Sequence, residues 1–418
     1  MRWLPIAAAI AFAALLPGGC RESESDPFET RPLTPELQQM LEEIGELRGL
    51  APPPALEAGT VSRFDITALL DRQLTDSDRE WFATTTTLYR LLGHLGPEED
   101  YLSVLRAFGE GAIIGLYSPV ENRLWVVQRE PEIDLDAMSP VERSALAHEL
   151  VHAIQDYHFS LDELSEHTAA NLDWGLAATS VVEGDAVTHQ GLWEGRQVVL
   201  PGGTRLFLSG GPAVFSTPPS IERELRFPYT TGAEWVNIVR SREGTAAIDR
   251  YLAGEPLSTS HILHPELRDA GWSPETVELP DLAAALGGGW KRESGGTLGE
   301  FHLRNYLELR LTALPAVTAA AGWRGDRYDV YVNGTDSVAF FRVRFAHETG
   351  AAEFTAAQAE LLTVAGATPA DSPSGVVAEL RDGRTTIQLA SPNSSEVLFV
   401  IGSSREVAER AAAALANA

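Results

Sequence analysis

The stretch Ala145-Leu-Ala-His-Glu-Leu-Val-His-Ala-Ile154 contains an H-E-x-x-H motif formed by His148, Glu149 and His152. We expect a helix here, because side chains four residues apart on a helix share a face and both imidazoles can then reach one cation. Neutral imidazole is a common zinc ligand. Glu149 lies beside that face, where a carboxylate can accept a proton from metal-bound water without being a ligand. The motif predicts a metal site with hydrolytic chemistry.

The residues around the motif predict a buried helix with a well-marked start. Ser139 as N-cap, Pro140 at the first helical position and Glu142 three residues after the cap form a capping box. Buried ionisable groups are costly unless they are paired or bind a metal. A metal-free pair of core histidines is the alternative. The apolar neighbours that indicate burial are Leu146, Ala147, Leu150, Val151, Ala153 and Ile154.

A catalytic zinc usually has three protein ligands, so a third ligand is expected downstream. His158 follows His148 at the spacing of the metzincins. However, Gln155 stands where that pattern has glycine, and no methionine follows the motif to form a Met-turn. The other candidate is Glu183, in a predicted helix from Trp174 to Trp193, and it is the one we favour.

Glu183 has small and mostly apolar helical neighbours, so its carboxylate is expected to need a cation. In this the chain resembles the gluzincin metallopeptidases, in which a glutamate from a later helix completes a His, His, Glu zinc site. The resemblance implies that His148, His152 and Glu183 bind Zn²⁺ and that Glu149 is the general base. The thermolysin-like acid four residues later is replaced by Val187, which leaves open what orients the histidines.

A broader resemblance rests on segments spread over most of the chain that follows the predicted signal peptide. The chain is similar to secreted bacterial and haloarchaeal metallopeptidase-like proteins of largely unknown substrate. The resemblance is carried by Gly115-Leu-Tyr-Ser-Pro, His148-Glu-Leu-Val-His-Ala-Ile-Gln-Asp, Val182-Glu-Gly-Asp-Ala, Pro256-Leu-Ser-Thr, His264-Pro-Glu and Gly322-Trp-Arg-Gly-Asp-Arg-Tyr.

Two further features concern substrate. The β-rich runs Ala112–Tyr117 and Leu124–Gln128 predict a hairpin before the motif, either structural or an edge that binds extended peptide by strand addition. For the oxyanion donor, His264, His261 and Tyr229 have suitable chemistry, and we favour His264. A helix-terminal role beside Pro265 is the alternative for His264.

The N-terminus predicts an extracytoplasmic protein. Residues 1–19 resemble a signal peptide, and Cys20, the only cysteine, follows Gly18-Gly19 as in a lipobox. We therefore expect lipidation at Cys20, a tether over residues 20–34 and membrane attachment at the bacterial cell envelope. The net charge of −27, with 32 Lys and Arg against 59 Asp and Glu, argues against nucleic acid as a partner. The oligomeric state is left open.

The predicted fold class is α+β, with a mainly helical zincin-like domain over residues 35–314 and a C-terminal α+β unit over 315–418. Helices are expected at Pro35–Arg48 and Asp76–Leu92. The Gly-, Pro- and Ser-rich stretch Pro201–Pro228 is expected to be a flap, a rim or only a connection.

Two functional hypotheses remain at the level of sequence. The first is zinc-dependent hydrolysis of peptide bonds, with Glu149 as general base and a peptide or protein as substrate. The second is a non-catalytic envelope lipoprotein that binds a protein partner and uses the metal to stabilise its fold. A closed four-ligand site would favour the second, and an open coordination position the first.

Overall fold

The structure is a computed structural model that describes residues 28–128, 133–196, 217–372, 375–391 and 394–416. It is a mixed α+β fold with two sheets, which confirms the predicted class. The helices are α1 (Pro35–Arg48), α2 (Ile66–Asp71), α3 (Asp76–Leu92), α4 (Tyr101–Ala112), α5 (Pro140–Phe159), α6 (Leu161–Thr168), α7 (Leu172–Arg196), α8 (Pro219–Phe227), α9 (Ala233–Glu243), α10 (Ala246–Leu252), α11 (Thr259–Leu263), α12 (Pro265–Asp269), α13 (Ala283–Leu286), α14 (Gly299–Leu307), α15 (Ala313–Ala320), α16 (Glu348–Val364) and α17 (Arg405–Ala416). A π-helical turn, Pro228–Gly232, joins α8 to α9.

The strands form one small mixed sheet and one larger antiparallel sheet. In the small sheet the order is β1-β2-β4-β3, and in the larger one it is β5-β6-β7-β11-β10-β9-β8. The strands are β1 (Thr30–Pro32), β2 (Glu57–Val61), β3 (Gly115–Ser118), β4 (Arg123–Val127), β5 (Lys291–Gly296), β6 (Trp323–Asn333), β7 (Asp336–Phe345), β8 (Thr368–Ser372), β9 (Gly375–Glu379), β10 (Thr385–Leu389) and β11 (Glu396–Gly402).

The larger sheet is covered on both faces, and one of its faces shares a core with the N-terminal helices. Phe341 and Phe399 stack at 4.5 Å between ring centroids and belong to a cluster that includes Leu88 and Tyr101 from α3 and α4. On the opposite face, Phe340 and its neighbours pack against α17. Alternate residues of each strand therefore serve two different cores, as the two-residue period of a strand requires.

The helix that carries the motif begins as predicted. The Ser139 hydroxyl accepts from Glu142 N at 3.3 Å, and the Glu142 carboxylate accepts from Ser139 N at 2.7 Å. The hairpin before it is confirmed as β3 and β4, which pair antiparallel. Both predicted N-terminal helices are also present, as α1 and α3.

Several predictions fall partly or wholly outside the described residues. The signal peptide, Cys20 and the first part of the tether do so, but the end of the predicted tether forms β1 and pairs with β2. Of the predicted rim, 201–216 is likewise not described, and the part that follows includes α8. The division at residue 315 stays a prediction, although β5 joins the larger sheet from upstream of it. None of the described helices is long and apolar enough to span a membrane.

Candidate metal centre

Two packed helices bring three predicted ligands to one point. His148 and His152 lie on α5, and Glu183 lies on α7. The two imidazole Nε2 atoms are 3.1 Å apart, and Glu183 Oε2 lies 3.1 Å from His148 Nε2 and 3.3 Å from His152 Nε2. The three residues form a buried group that could hold a metal ion.

The spacing of these atoms fits a small cation. Zinc binds nitrogen and oxygen at about 2.0–2.1 Å, so two ligands at a tetrahedral angle lie about 3.3 Å apart. The measured separations of 3.1–3.3 Å are close to that value. Three electron-pair donors this close repel one another unless a cation or protons lie between them.

Two glutamines orient the histidines. His148 Nδ1 lies 3.2 Å from Gln190 Oε1, and His152 Nδ1 lies 2.8 Å from Gln155 Oε1. Because the amide oxygens can only accept, each histidine donates from Nδ1, and its Nε2 faces Glu183 and is the atom available to a metal. This tautomer is assigned from the hydrogen-bond network.

Each glutamine is itself held in one orientation. The Gln155 amide nitrogen donates to Val182 O at 3.0 Å and to Asp185 Oδ2 at 2.9 Å. The Gln190 amide nitrogen donates to Ser144 Oγ at 2.6 Å. Sequence reasoning missed both glutamines. Gln155, which counts against the metzincin pattern, is the residue that orients His152.

Glu149 lies next to the ligand group, and β3 holds it from one side. Its Oε2 accepts from Tyr117 N at 2.7 Å, whereas its buried Oε1 has no hydrogen-bond partner among the described residues. The strand approaches closely because Gly115 has no side chain: a Cβ there would lie 3.1 Å from Leu146 and 3.4 Å from Glu149. A buried carboxylate oxygen without a partner is costly and indicates a functional role.

The π-helical turn brings Tyr229 to the same place. The Tyr229 ring stacks on the His148 imidazole at 6.0 Å between centroids, and burial, together with the nearby Glu183 carboxylate, raises the pKa of the Tyr229 hydroxyl. The turn reaches α7 because two glycines meet: a Cβ on Gly184 would lie 2.6 Å from the backbone of Gly232. π-helical turns are frequent at functional sites.

The buried ionisable groups of the metal centre shift one another's pKa values. Burial raises the pKa of Glu183, but His152 and His148 outweigh it and lower the pKa to about 2. Burial lowers the pKa of His152, but the charge of Glu183 outweighs it and raises the pKa to about 9. For Glu149, burial raises the pKa above its usual value, although His152, His148 and the Tyr117 N–H oppose it.

The other candidate residues lie elsewhere. His158 is exposed and contacts Ala51 O at 2.8 Å through Nε2, because α5 continues to Phe159 rather than turning after His152. His264 Nε2 lies 2.7 Å from Glu300 Oε1, and His261 contacts Ser258 N and Trp272 O. Of the three proposed oxyanion donors, Tyr229 is the one that contacts a predicted ligand.

The centre is closed to solvent. His148, Glu149, His152 and Glu183 are each at most 1% exposed. Three surface clefts in the described part of the chain are lined by residues other than these four. A substrate can reach these groups only if neighbouring structure moves.

The comparisons with known proteins bear on the C-terminal part of the chain. Residues 288–412 match the model of a family described as a domain of unknown function (DUF8575). The match begins just before β5 and reaches into α17, so it covers the larger sheet and leaves the metal centre outside. No curated protein and no solved structure matches the chain.

Proposed function

We propose that the protein is a zinc-dependent peptidase of gluzincin type, with His148, His152 and Glu183 as zinc ligands. The main support is that three side chains spaced to hold one cation lie beside Glu149. The Oε1 atom of Glu149 is buried and has no hydrogen-bond partner among the described residues. Zinc is favoured because two imidazoles and one carboxylate suit it.

Each residue has a distinct role in this proposal. When bound, the metal supplies Lewis acidity toward a carbonyl and lowers the pKa of water. Glu149 takes the proton of the attacking water at Oε1 and returns it to the leaving amine, while the Tyr117 N–H fixes its other oxygen. Tyr229, rather than His264, donates its hydroxyl to the developing oxyanion.

The experiment compares Glu149→Gln with the natural protein. We expect the variant to keep zinc, measured by elemental analysis, and to hydrolyse quenched fluorescent casein about 10²- to 10⁴-fold more slowly, as for loss of a general base. Glu163→Gln, an exposed change on α6, is the control and should alter neither quantity. Undiminished hydrolysis by Glu149→Gln would refute the mechanism.

A non-catalytic, metal-stabilised lipoprotein that binds a protein partner is the second candidate. It is favoured by the complete burial of the ligand group, since a peptide cannot reach the group from solvent without a movement of the surrounding structure. Zinc binding without hydrolysis of any peptide by the natural protein would support it.

We further propose that the protein lies at the cell envelope, with a lipid on Cys20. The support is the apolar N-terminal run followed by Gly18-Gly19-Cys20. Membrane fractionation of cells that produce Cys20→Ser tests the anchor, because loss of the lipid should release the protein from membranes.

A further inference from the structure

Two pockets lie side by side where the end of α3 meets the larger sheet. The smaller has a volume of about 190 Å³ and the larger a volume of about 830 Å³. Leu91, Gly93, Arg310 and Arg384 line both of them. Apart from three residues at the end of α3, the lining of the smaller pocket comes from residues 306–401, inside the match to the family of unknown function. The two pockets share no residue with the metal centre.

The smaller pocket, here called the apolar pocket, has walls of buried hydrophobic side chains. Among them are Leu92, Leu361 and Ile401, which are each at most 5% exposed. An apolar cavity of about 150 Å³ is large enough to bind benzene. A pocket of about 190 Å³ therefore has room for one side chain of the size of leucine or phenylalanine, but not for a long acyl chain.

Three arginines line the apolar pocket, and they differ in their partners. Arg384 is held in place, since it donates to Asp382 Oδ2 at 2.8 Å and to two carbonyls at the end of α3. Arg310 and Arg381 are exposed, and neither has an acidic partner within the part of the chain that the structure describes. In a chain with 59 acidic against 32 basic residues, two such guanidinium groups beside one pocket favour an anionic ligand.

The larger pocket, here called the polar cleft, contains two buried polar atoms that have no hydrogen-bond partner among the described residues. They are Nδ1 of His94, a residue only 4% exposed, and Oε2 of Glu293. Burial lowers the pKa of His94 to about 3, so its imidazole is neutral and has one donor and one acceptor nitrogen. Buried groups of this kind need a partner that the chain does not supply. The N–H and C=O of a peptide group offer such partners.

These features together fit the end of a peptide chain. The last residue of a peptide carries a carboxylate next to its own side chain, which matches two arginines beside the apolar pocket. The amide groups before it match the polar cleft. A long fatty acid has the carboxylate, but it has no amide group and its chain exceeds the apolar pocket. An inorganic anion has no apolar part.

We propose that the two pockets bind the C-terminal end of a peptide whose last residue is apolar. The apolar pocket takes the last side chain, Arg310 and Arg381 bind the terminal carboxylate, and the polar cleft takes the amide groups before it. Backbone recognition of this kind leaves the earlier side chains largely unspecified. The inference does not rest on the proposed zinc chemistry.

The test measures dissociation constants by fluorescence anisotropy with three mixtures of pentapeptides. Each carries fluorescein at its N-terminus and random residues at the first four positions, and the fifth is leucine, leucine amide or glycine. All proteins carry Glu149→Gln, so that the proposed peptidase does not cleave the probe. The leucine mixture should bind about 10- to 100-fold more tightly than the amide, because hydrogen bonds to a charged group are lost in the amide. It should exceed the glycine mixture by a similar factor, because the glycine peptide buries no side chain.

The variant Arg310→Gln/Arg381→Gln tests the assigned residues. It should bind the leucine mixture as weakly as the amide mixture, and its binding of the amide should not change. The control Arg242→Gln/Arg410→Gln removes the same charge from two exposed positions elsewhere and should keep the full preference for the free carboxylate. Because all four side chains are exposed, urea denaturation should give the same midpoint for both variants as for the parent protein.

Three results would overturn the inference. A preference for the carboxylate that survives Arg310→Gln/Arg381→Gln would place the peptide end elsewhere. Equal binding of the leucine and amide mixtures, or binding of neither, would exclude recognition of a peptide end. Binding of dodecanoate labelled with nitrobenzoxadiazole in place of the leucine mixture would identify an acyl carboxylate as the ligand. None of these measurements requires hydrolysis, so this site and the proposed peptidase are tested separately.

Discussion

At the scale of single residues, Tyr229 offers the sharpest distinction between a catalytic and a merely supporting side chain. Its hydroxyl lies near Glu183, and its ring stacks on His148. If the hydroxyl stabilises the oxyanion, Tyr229→Phe should lower kcat about 10²- to 10³-fold, as for loss of one such donor, with little change in KM. Steady-state kinetics on a fluorogenic peptide measures both quantities.

The control for Tyr229 is the zinc dissociation constant of the same variant. If the hydroxyl only supports Glu183, zinc binding will weaken and kcat at saturating zinc will be unaffected. That result would exclude Tyr229 as the oxyanion donor. The donor in the proposed mechanism would then have to be a group that approaches the metal centre when neighbouring structure moves.

At the scale of elements, the packing of α7 against the π-helical turn depends on Gly184. A Cβ at this position would lie 2.6 Å from the Gly232 carbonyl atoms, which are backbone and cannot rotate away. Gly184→Ala should therefore cost about 1–3 kcal/mol of unfolding free energy and displace Tyr229. Urea denaturation measures the cost.

Gly191, seven residues further along α7, is the matched control for this substitution. It is exposed, and a Cβ added there would have no neighbouring atom within 4 Å. Gly191→Ala should stabilise the protein by about 0.5–1 kcal/mol, because alanine loses less backbone entropy in a helix. Destabilisation of similar size by both variants would mean that the close contact with Gly232 does not cause the loss of stability in Gly184→Ala.

The sequence predicted those parts of the site that depend on helical spacing. His148 and His152 follow from their i, i+4 relation, and Glu183 from a carboxylate on an apolar face. Gln190 could not be predicted in the same way, and Tyr229 was only one of three candidate oxyanion donors and not the favoured one. The places of both residues depend on how α5, α7 and the π-helical turn pack. Gln155 carried a usable signal, since it lies three residues after His152 on the same helix.

The same holds for the fold: features encoded in a short stretch of sequence were predicted, and contacts between distant residues were not. The capping box of α5 and the β3–β4 hairpin are local and were predicted correctly. Strands β1, β2, β5 and β8 were not predicted. For example, β1 is the run Thr-Arg-Pro and β5 is a polar run with two glycines, so neither shows an alternation of apolar residues. The buried ion pair between Arg48 and Asp185 could not be predicted, because the two residues lie 137 positions apart in sequence.

At the scale of the whole molecule, the core shared by the helices and the larger sheet joins regions distant in sequence. Arg384, from the turn between β9 and β10, donates to the carbonyls of Arg90 and Leu91 at the end of α3. These contacts satisfy acceptors that a helix end leaves open. The free energy of unfolding therefore depends on the helices and the larger sheet together. A buried ionisable group where the helices meet is expected to change the stability of both.

Glu224 is such an ionisable group. It lies on α8 and accepts from the hydroxyls of Tyr89 at 2.8 Å and Tyr101 at 2.9 Å, which come from α3 and α4. Burial raises the pKa of Glu224 to about 7, although the two tyrosine hydrogen bonds oppose the rise. In the unfolded chain a glutamate ionises near pH ~4.3, so the folded state holds the proton more tightly.

The direction of the pH effect follows from this difference. The carboxyl contributes its full stability below about pH 4.3, and the contribution is lost as the pH rises toward 7, because ionisation then favours the unfolded chain. The whole loss amounts to about 3–4 kcal/mol, at about 1.36 kcal/mol per pKa unit. The glutamine of Glu224→Gln cannot ionise, so the variant should not lose this stability as the pH rises. Urea denaturation of both proteins in the presence of a chelator should show the variant gaining about 3 kcal/mol relative to the natural protein between about pH 4.5 and 8. A difference that stays constant over this range would show that Glu224 does not change its ionisation on folding, and the three-helix junction would then hold a carboxylate rather than a carboxylic acid.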